Sequence, residues 1–149
     1  MIEAIFVANK KREPQLSVSA IQVVAGKGIM GDRYFNHLKK PGQNITFIAA
    51  EEVENFNLMT GRSIQACDLR RNIVTRSIQL NELVGKHFQI GEVQFYGIEL
   101  CEPCKTLGKL LTTPAMQPQE VIKAWTHKAG LRANIVTSGF IRVGMAFRF

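Results

Sequence analysis

The tract LNELVGKHFQIGEVQFYGIEL, from Leu80 to Leu100, restricts the fold of this chain more than any other stretch. Apolar residues recur at short spacing and glycine interrupts them at Gly85, Gly91 and Gly97. Glycine at that density breaks a helix, so the tract reads as a series of short strands. In its last part Val93 and Phe95 keep one phase while Ile98 and Leu100 take the other, which predicts a β-bulge at Gly97. Strand-like runs of the same kind recur at IEAIFVA, at NITFIA and at NIVT, and LSVSAIQVVA carries one with a phase change near Ala20 and Ile21. The closing LRANIVTSGFIRVGMAFRF reads as two strands around a Ser-Gly turn.

Helical signals are fewer. AEEVENFNLMTG has Glu51 and Glu52 in its first turn, Val53, Phe56 and Met59 on one face, and Gly61 as its stop. PQEVIKAWTHKAG has Pro118 in its first turn, Val121, Ile122 and Trp125 directed inward, and Gly130 beyond its end. KTLGKLL makes a short helical turn. The expectation is a mainly β chain with two or three short helices, its strands curled into a closed or nearly closed barrel, because closure removes exposed sheet edges. At 149 residues the chain has the size of one domain, 1–149.

Apolar residues make up 46% of the chain and charged ones 21%, with no apolar run near the roughly 18 residues of a membrane helix. No membrane association is expected. The start, MIEAIFVANKKREP, places apolar residues before basic ones, the reverse of a secretory signal, so a cytoplasmic location is expected. Three cysteines cannot form a closed disulfide framework, which leaves them for packing or for chemistry. The net charge of +7 favours anionic partners: a phosphate-bearing cofactor, nucleic acid or an acidic protein. Its basic clusters, KKR at Lys10 to Arg12, LKK ending at Lys40 and LRR at Arg70 and Arg71, are far apart in sequence.

The chemistry-bearing motif is LCEPCKTLG. A zinc site needs four ligands, and Cys101 and Cys104 supply a half-site with no second close Cys/His pair: Cys67, His37, His87 and His127 each stand alone. A thioredoxin-like pair needs a long helix in a βαβ setting, and here the helix is short. A single working thiol fits better. Cys104 follows Pro103, opens a helical turn and precedes Lys105, and each of these favours a thiolate. The alternative is that both cysteines only pack, since free cysteine is often buried.

Two further motifs stand out. Arg70, Arg71 and Arg132 sit at strand entrances, where guanidinium forks can grip phosphate or a conjugated ring while Asn72 and Asn134 add amide hydrogen bonds. RRNIVT and RANIVT echo each other, which places the two segments at related positions of one barrel. The long glycine-rich stretch GKGIMGDRYFNHLKKPGQ reads as a loop walling a site, with Gly28 and Gly31 around Asp32 and Arg33.

Taken in order, KGIMGDRYF, LRRNIVTRSIQLNELVGKHFQIG, CEPCKTL and GLRANIVTSGFIRVG resemble the motifs of the MOSC domain, the molybdenum-cofactor sulfurase C-terminal type, over about Lys27 to Gly144. The resemblance implies a β-barrel-like fold with Cys104 as the key thiol and metal ligand. It also implies that Asp32, Arg33, Arg70, Arg71, Asn72 and Arg132 surround a pocket for the molybdenum cofactor, a pterin bearing a phosphate. Relatives of two kinds are known: some reduce small N-hydroxylated compounds, and others pass sulfur through a cysteine persulfide. The first needs a separate electron donor and the second a cysteine desulfurase. Pyridoxal phosphate is not expected on this chain, which has no room for the domain that carries it in full sulfurases. Two positions depart from many relatives: Tyr34 stands where histidine follows Gly-Asp-Arg, and Met145 where aspartate follows the final glycine. A small basic module for RNA or DNA is the reading furthest from these motifs, because stacking aromatics are sparse.

Overall fold

The computed structural model describes residues 1–37 and 44–149. Among these, the strands in chain order are β1 (Ile2–Val7), β2 (Leu16–Val18), β3 (Ala20–Val24), β4 (Gly28–Ile29), β5 (Ile45–Ala49), β6 (Ile73–Thr75), β7 (His87–Ile90), β8 (Val93–Leu100), β9 (Leu131–Ile135), β10 (Gly139–Arg142) and β11 (Phe147–Arg148). The α-helices are α1 (Ala50–Thr60), α2 (Lys105–Leu111) and α3 (Pro118–Trp125), with 3-10 turns at Ala66–Leu69 and Leu80–Leu83. Eight strands form one curled sheet in the order β11-β7-β8-β9-β5-β6-β1-β2, and β10, β3 and β4 form a smaller sheet. The fold is mainly β, a half-barrel with three helices.

β5 lies at the centre, and its neighbours are the two echoing segments. It pairs with β6 in parallel, Phe47 opposite Ile73, and with β9 antiparallel, Phe47 opposite Leu131. A parallel pair needs a crossover, which α1 supplies between β5 and β6. Because β6 and β9 run in opposite senses along β5, the shared Arg-x-Asn-Ile-Val-Thr is no simple structural repeat.

Alternation sends each strand's residues to two cores. On the inner face Ile2, Ile5, Phe47, Ile73, Phe95 and Ile135 pack against Ile21, Val23, Ile29 and Ile141 of the smaller sheet. On the outer face Ile48 and Val74 meet Val53, Phe56, Leu107, Leu111, Val121 and Trp125 from the helices. β5 is thus covered on both sides, and Phe47 has no exposed surface. Truncating so large a side chain to alanine costs about 3–5 kcal/mol.

Local signals place the helix ends. Gly61 closes α1 at φ 66, the left-handed region, and donates its N–H to the Asn57 carbonyl. At α3 the side chains of Gln117 and Glu120 form a reciprocal capping box, and Pro118 occupies the first turn. No helix among the described residues is long and apolar enough to cross a membrane.

Several expectations change. Leu80–Leu83 is a 3-10 turn and not a strand. β8 runs unbroken through Gly97 where a strand break was expected, while the β-bulge expected at Gly97 is present as a register shift against β9 between Gly97 and Glu99. A Cβ at Gly97 would come 2.0 Å from the Leu83 carbonyl oxygen, so that close approach of the turn requires glycine there. The phase change near Ala20 is a change of sheet, since β2 pairs with β1 and β3 with β10. β9 and β10 do not pair with each other, so the Ser-Gly turn leads from one sheet to the other and makes no hairpin. Gly28–Ile29 within the expected loop is a short strand. The end of that loop, with Lys40, Pro41 and Gly42, lies outside the described residues. Met59 is 78% exposed and does not join Val53 and Phe56 in the core.

Candidate functional site

The loop after β8 separates the two cysteines. Cys101 donates its backbone N–H to the Gly130 carbonyl at 2.7 Å, and its side chain is fully buried in the outer core. Three residues on, extended backbone at φ −113 and ψ 172 puts Cys104 at the N-cap position of α2 with its side chain exposed. The thiols respond in opposite directions. Burial raises the Cys101 pKa. At Cys104 partial burial also pushes upward, but the N–H groups of Leu107 and Thr106, the Thr106 hydroxyl and the Arg71 charge outweigh it, so the net shift is down.

Cys104 borders an open cleft of about 500 Å³ whose wall also includes Lys11, Lys27, Arg33, Arg70, Arg71 and Arg132. No carboxylate lines it among the described residues. Arg33 and Arg132 have acidic partners, Asp32 at 3.2 Å and Glu99 at 3.3 Å. Lys11, Lys27, Arg70 and Arg71 have none among the described residues. The cleft is therefore strongly positive around one exposed thiol.

The arginines differ in what they hold. Among the described residues Arg71 spends only its Nε on the protein, donating to the Ala129 carbonyl at 2.8 Å. Arg70 adopts the left-handed region at φ 57, and its fork donates to the carbonyls of Glu13 and Lys11, each at 3.0 Å. That bond clasps the turn between β1 and β2 against the cleft. Burial, then repulsion from Arg33, lowers the Arg70 pKa. Arg33 is almost buried; its Nη2 donates to the Arg70 carbonyl at 3.0 Å and its Nη1 to Asp32, while its buried Nε has no hydrogen-bond partner among the described residues. An unsatisfied buried donor costs about 1–3 kcal/mol, which a bound acceptor would relieve.

Asp32 and Asn72 do not line the cleft. Asp32 accepts from the backbone N–H groups of Ala8 and Tyr34 and from Arg33. Asn72 accepts from the Thr46 N–H and hydroxyl and donates to the Phe6 carbonyl at 3.2 Å. Both are buried joints beneath the wall, joining β1, β5, β6 and the Gly31–Tyr34 turn. Of the expected residues, the structure brings Cys104, Arg33, Arg70, Arg71 and Arg132 to one cleft and sets Asp32 and Asn72 behind it.

Sequence reasoning did not place Lys11, Lys27, Thr46 and Thr106 at the site. KKR was visible as a basic cluster, but only the pairing of β1 with β2 and the Arg70 clasp carry its turn to the cleft. His127 lies elsewhere: it is exposed, and its Nδ1 pairs with Glu102 at 2.7 Å.

The fold is similar to that of solved structures with little shared sequence. The crystal structure of the YUAD protein from Bacillus subtilis matches with a TM-score of 0.84 and 16% identity, over 98% of this chain and 92% of that one. YiiM from Geobacillus stearothermophilus matches at 0.73 and 16%, over 99% and 74%. YiiM from Escherichia coli matches at 0.71 and 13%, over 99% and 68%. No curated protein matches this chain in sequence. A sequence model of the MOSC domain matches residues 27–148, which takes in the Gly-Asp-Arg turn, both arginine-asparagine segments and Cys104. On that match the chain belongs to the MOSC domain family.

Proposed function

We propose that this chain binds the molybdenum cofactor and reduces small N-hydroxylated compounds with electrons from a separate donor protein. The observation that carries the reading is one exposed thiol of lowered pKa on a cleft with four cations that have no acidic partner among the described residues. The donor set fits the group. A thiolate is a soft ligand suited to molybdenum, and planar guanidinium forks suit a phosphate. Arg33 also lines the cleft, and its buried Nε has no hydrogen-bond partner among the described residues.

In this reading Cys104 ligates the metal, and Arg71, whose Nη groups have no hydrogen-bond partner among the described residues, holds the phosphate together with Arg70 and Arg132. Asp32 and Asn72 support the wall by fixing Arg33 and the β5 and β6 backbones. The cofactor, when bound, supplies the two-electron chemistry that N–O bond reduction requires. Against partial burial, the Leu107 and Thr106 N–H groups lower the pKa of the thiol, and the apolar Leu69, Leu107 and Leu110 line the cleft beside it. Expression in a host that makes the cofactor should give molybdenum approaching one atom per folded chain. Folded protein with near-zero molybdenum from such a host would reject this reading.

The exposure of Cys104 favours a second reading, a persulfide carrier served by a cysteine desulfurase. Mass spectrometry after incubation with a desulfurase and cysteine should then show one added sulfur on Cys104. Label only on Cys67, or none, would remove it. A nucleic-acid role has less support, because Trp125 is 1% exposed and packs against Phe56 at a tilt of 33°, out of reach of a base.

A further inference from the structure

Positive charge at the cleft exceeds what the proposed cofactor would neutralise. A phosphate monoester carries about two negative charges. Lys11, Lys27, Arg70 and Arg71 lack carboxylate partners among the described residues, so a cation remains for another anion. Lys11 is the cation whose placement has a visible cause. It is held at the cleft by its own carbonyl, which accepts from Arg70 Nη2 at 3.0 Å, while its side chain stays exposed. Its ammonium stands 6.0 Å from the centroid of the Tyr34 ring. That is the outer limit of cation–π attraction, so the ammonium is weakly held and turns readily to a stronger partner.

The Tyr34 ring is the other half of the feature. It is 43% exposed and lines the cleft. Its orientation is set from within the protein: Arg33 lies 4.8 Å from its centroid, His37 meets it edge-on at 5.8 Å, and its backbone N–H donates to Asp32 at 3.2 Å. A partly exposed ring fixed on its protein side offers its remaining surface to a flat group.

We infer that Tyr34 and Lys11 form a substrate-selecting subsite that favours flat, anionic compounds, the ring receiving an aromatic group and the ammonium its acidic substituent. The inference rests on the reading of the cleft as a site for N-hydroxylated substrates, and its test is equilibrium binding, which does not depend on turnover. The probes are benzamidoxime, para-carboxybenzamidoxime and acetamidoxime, titrated by calorimetry into the protein purified from a cofactor-making host, with molybdenum measured on the same samples. A charge-assisted contact of this kind favours the carboxylated probe over benzamidoxime by about tenfold. Lys11→Gln should abolish that preference, whereas Lys86→Gln, an equal loss of charge away from the cleft, should keep it. Tyr34→Leu should weaken both aromatic probes and leave acetamidoxime as it was. Equal binding of the neutral and carboxylated probes by the native protein, or a preference that survives Lys11→Gln, overturns the inference. Failure to bind any probe also overturns it. Probe selectivity without bound molybdenum would instead reject the cofactor reading and leave the subsite standing.

Discussion

Cys101 and Cys104 are three residues apart and belong to different parts of the molecule. Cys101 ends in the outer core with Trp125, Leu107 and Val121, its thiol fully buried and its pKa raised. Cys104 stands at the N-cap position of α2, exposed on the cationic cleft, its pKa lowered by the Leu107 and Thr106 N–H groups against the effect of partial burial. Arg71 bears on both thiols, so the difference is not a matter of which one has a cation nearby. It comes from solvent and from backbone N–H groups. Reactivity is set by the balance at each sulfur: at Cys101 burial outweighs the Arg71 and Arg132 guanidinium groups, and at Cys104 the backbone N–H groups outweigh partial burial.

The largest effect expected from that contrast is on metal retention. Cys104→Ser exchanges a soft ligand for a hard one, so molybdenum per chain should fall by about tenfold or more, whereas Cys101→Ser should retain it. Equal losses in both variants, each confirmed folded by circular dichroism, would mean that the two sulfurs act as a pair. Stability should rank the other way. Cys101→Ser buries a hydroxyl in an apolar core and should cost about 1–3 kcal/mol in denaturant unfolding. Cys104→Ser, at an exposed position, should lie within about 0.5 kcal/mol of the native protein.

The pH dependence of alkylation sharpens the comparison further. Because the folded pKa of Cys104 is lowered, its thiolate persists to lower pH, and the midpoint of iodoacetamide reaction should fall below the ordinary cysteine value of about 8.5. Cys101 should react only through unfolding. Its raised folded pKa has the opposite linkage: the unfolded chain loses that proton first, so its contribution is complete below the unfolded pKa and is lost as pH rises through the folded one. The smallest effect concerns Arg71. Arg71→Gln removes a cation that stabilises the thiolate, so the Cys104 midpoint should move up by a few tenths of a unit in a solvent-screened cleft. A downward move would show that Arg71 does not face that thiol.

Much of this contrast was legible before the fold was known. Pro103, the helical turn after Cys104 and Lys105 pointed to a thiolate, and of these the structure uses the helical turn, through the Leu107 and Thr106 N–H groups; Pro103 and Lys105 do not enter. Met59 failed as a core residue because it sits in the last turn of α1, where nothing packs over it, although its spacing matched Val53 and Phe56. Asp32 and Asn72 were identified as polar residues of the site, but spacing along a chain carries no information on which side of a wall a short side chain points. Their orientation follows from backbone groups of other strands, Ala8, Thr46 and Phe6, that must be satisfied beneath that wall.

By itself the sequence determined the local elements: glycine at Gly61 ended α1, the Gln117 and Glu120 box started α3, and alternation placed β7 and β8. These depend on backbone conformation and on contacts within a few residues. Tertiary structure alone decided which distant residues share the cleft. Lys11 reaches it because Arg70, held in the left-handed region, bonds the carbonyls of a turn roughly sixty residues earlier in the chain. The echoing segments came to flank β5 in opposite senses for a similar reason, since strand pairing satisfies backbone hydrogen bonds and buries apolar faces without regard to distance along the chain.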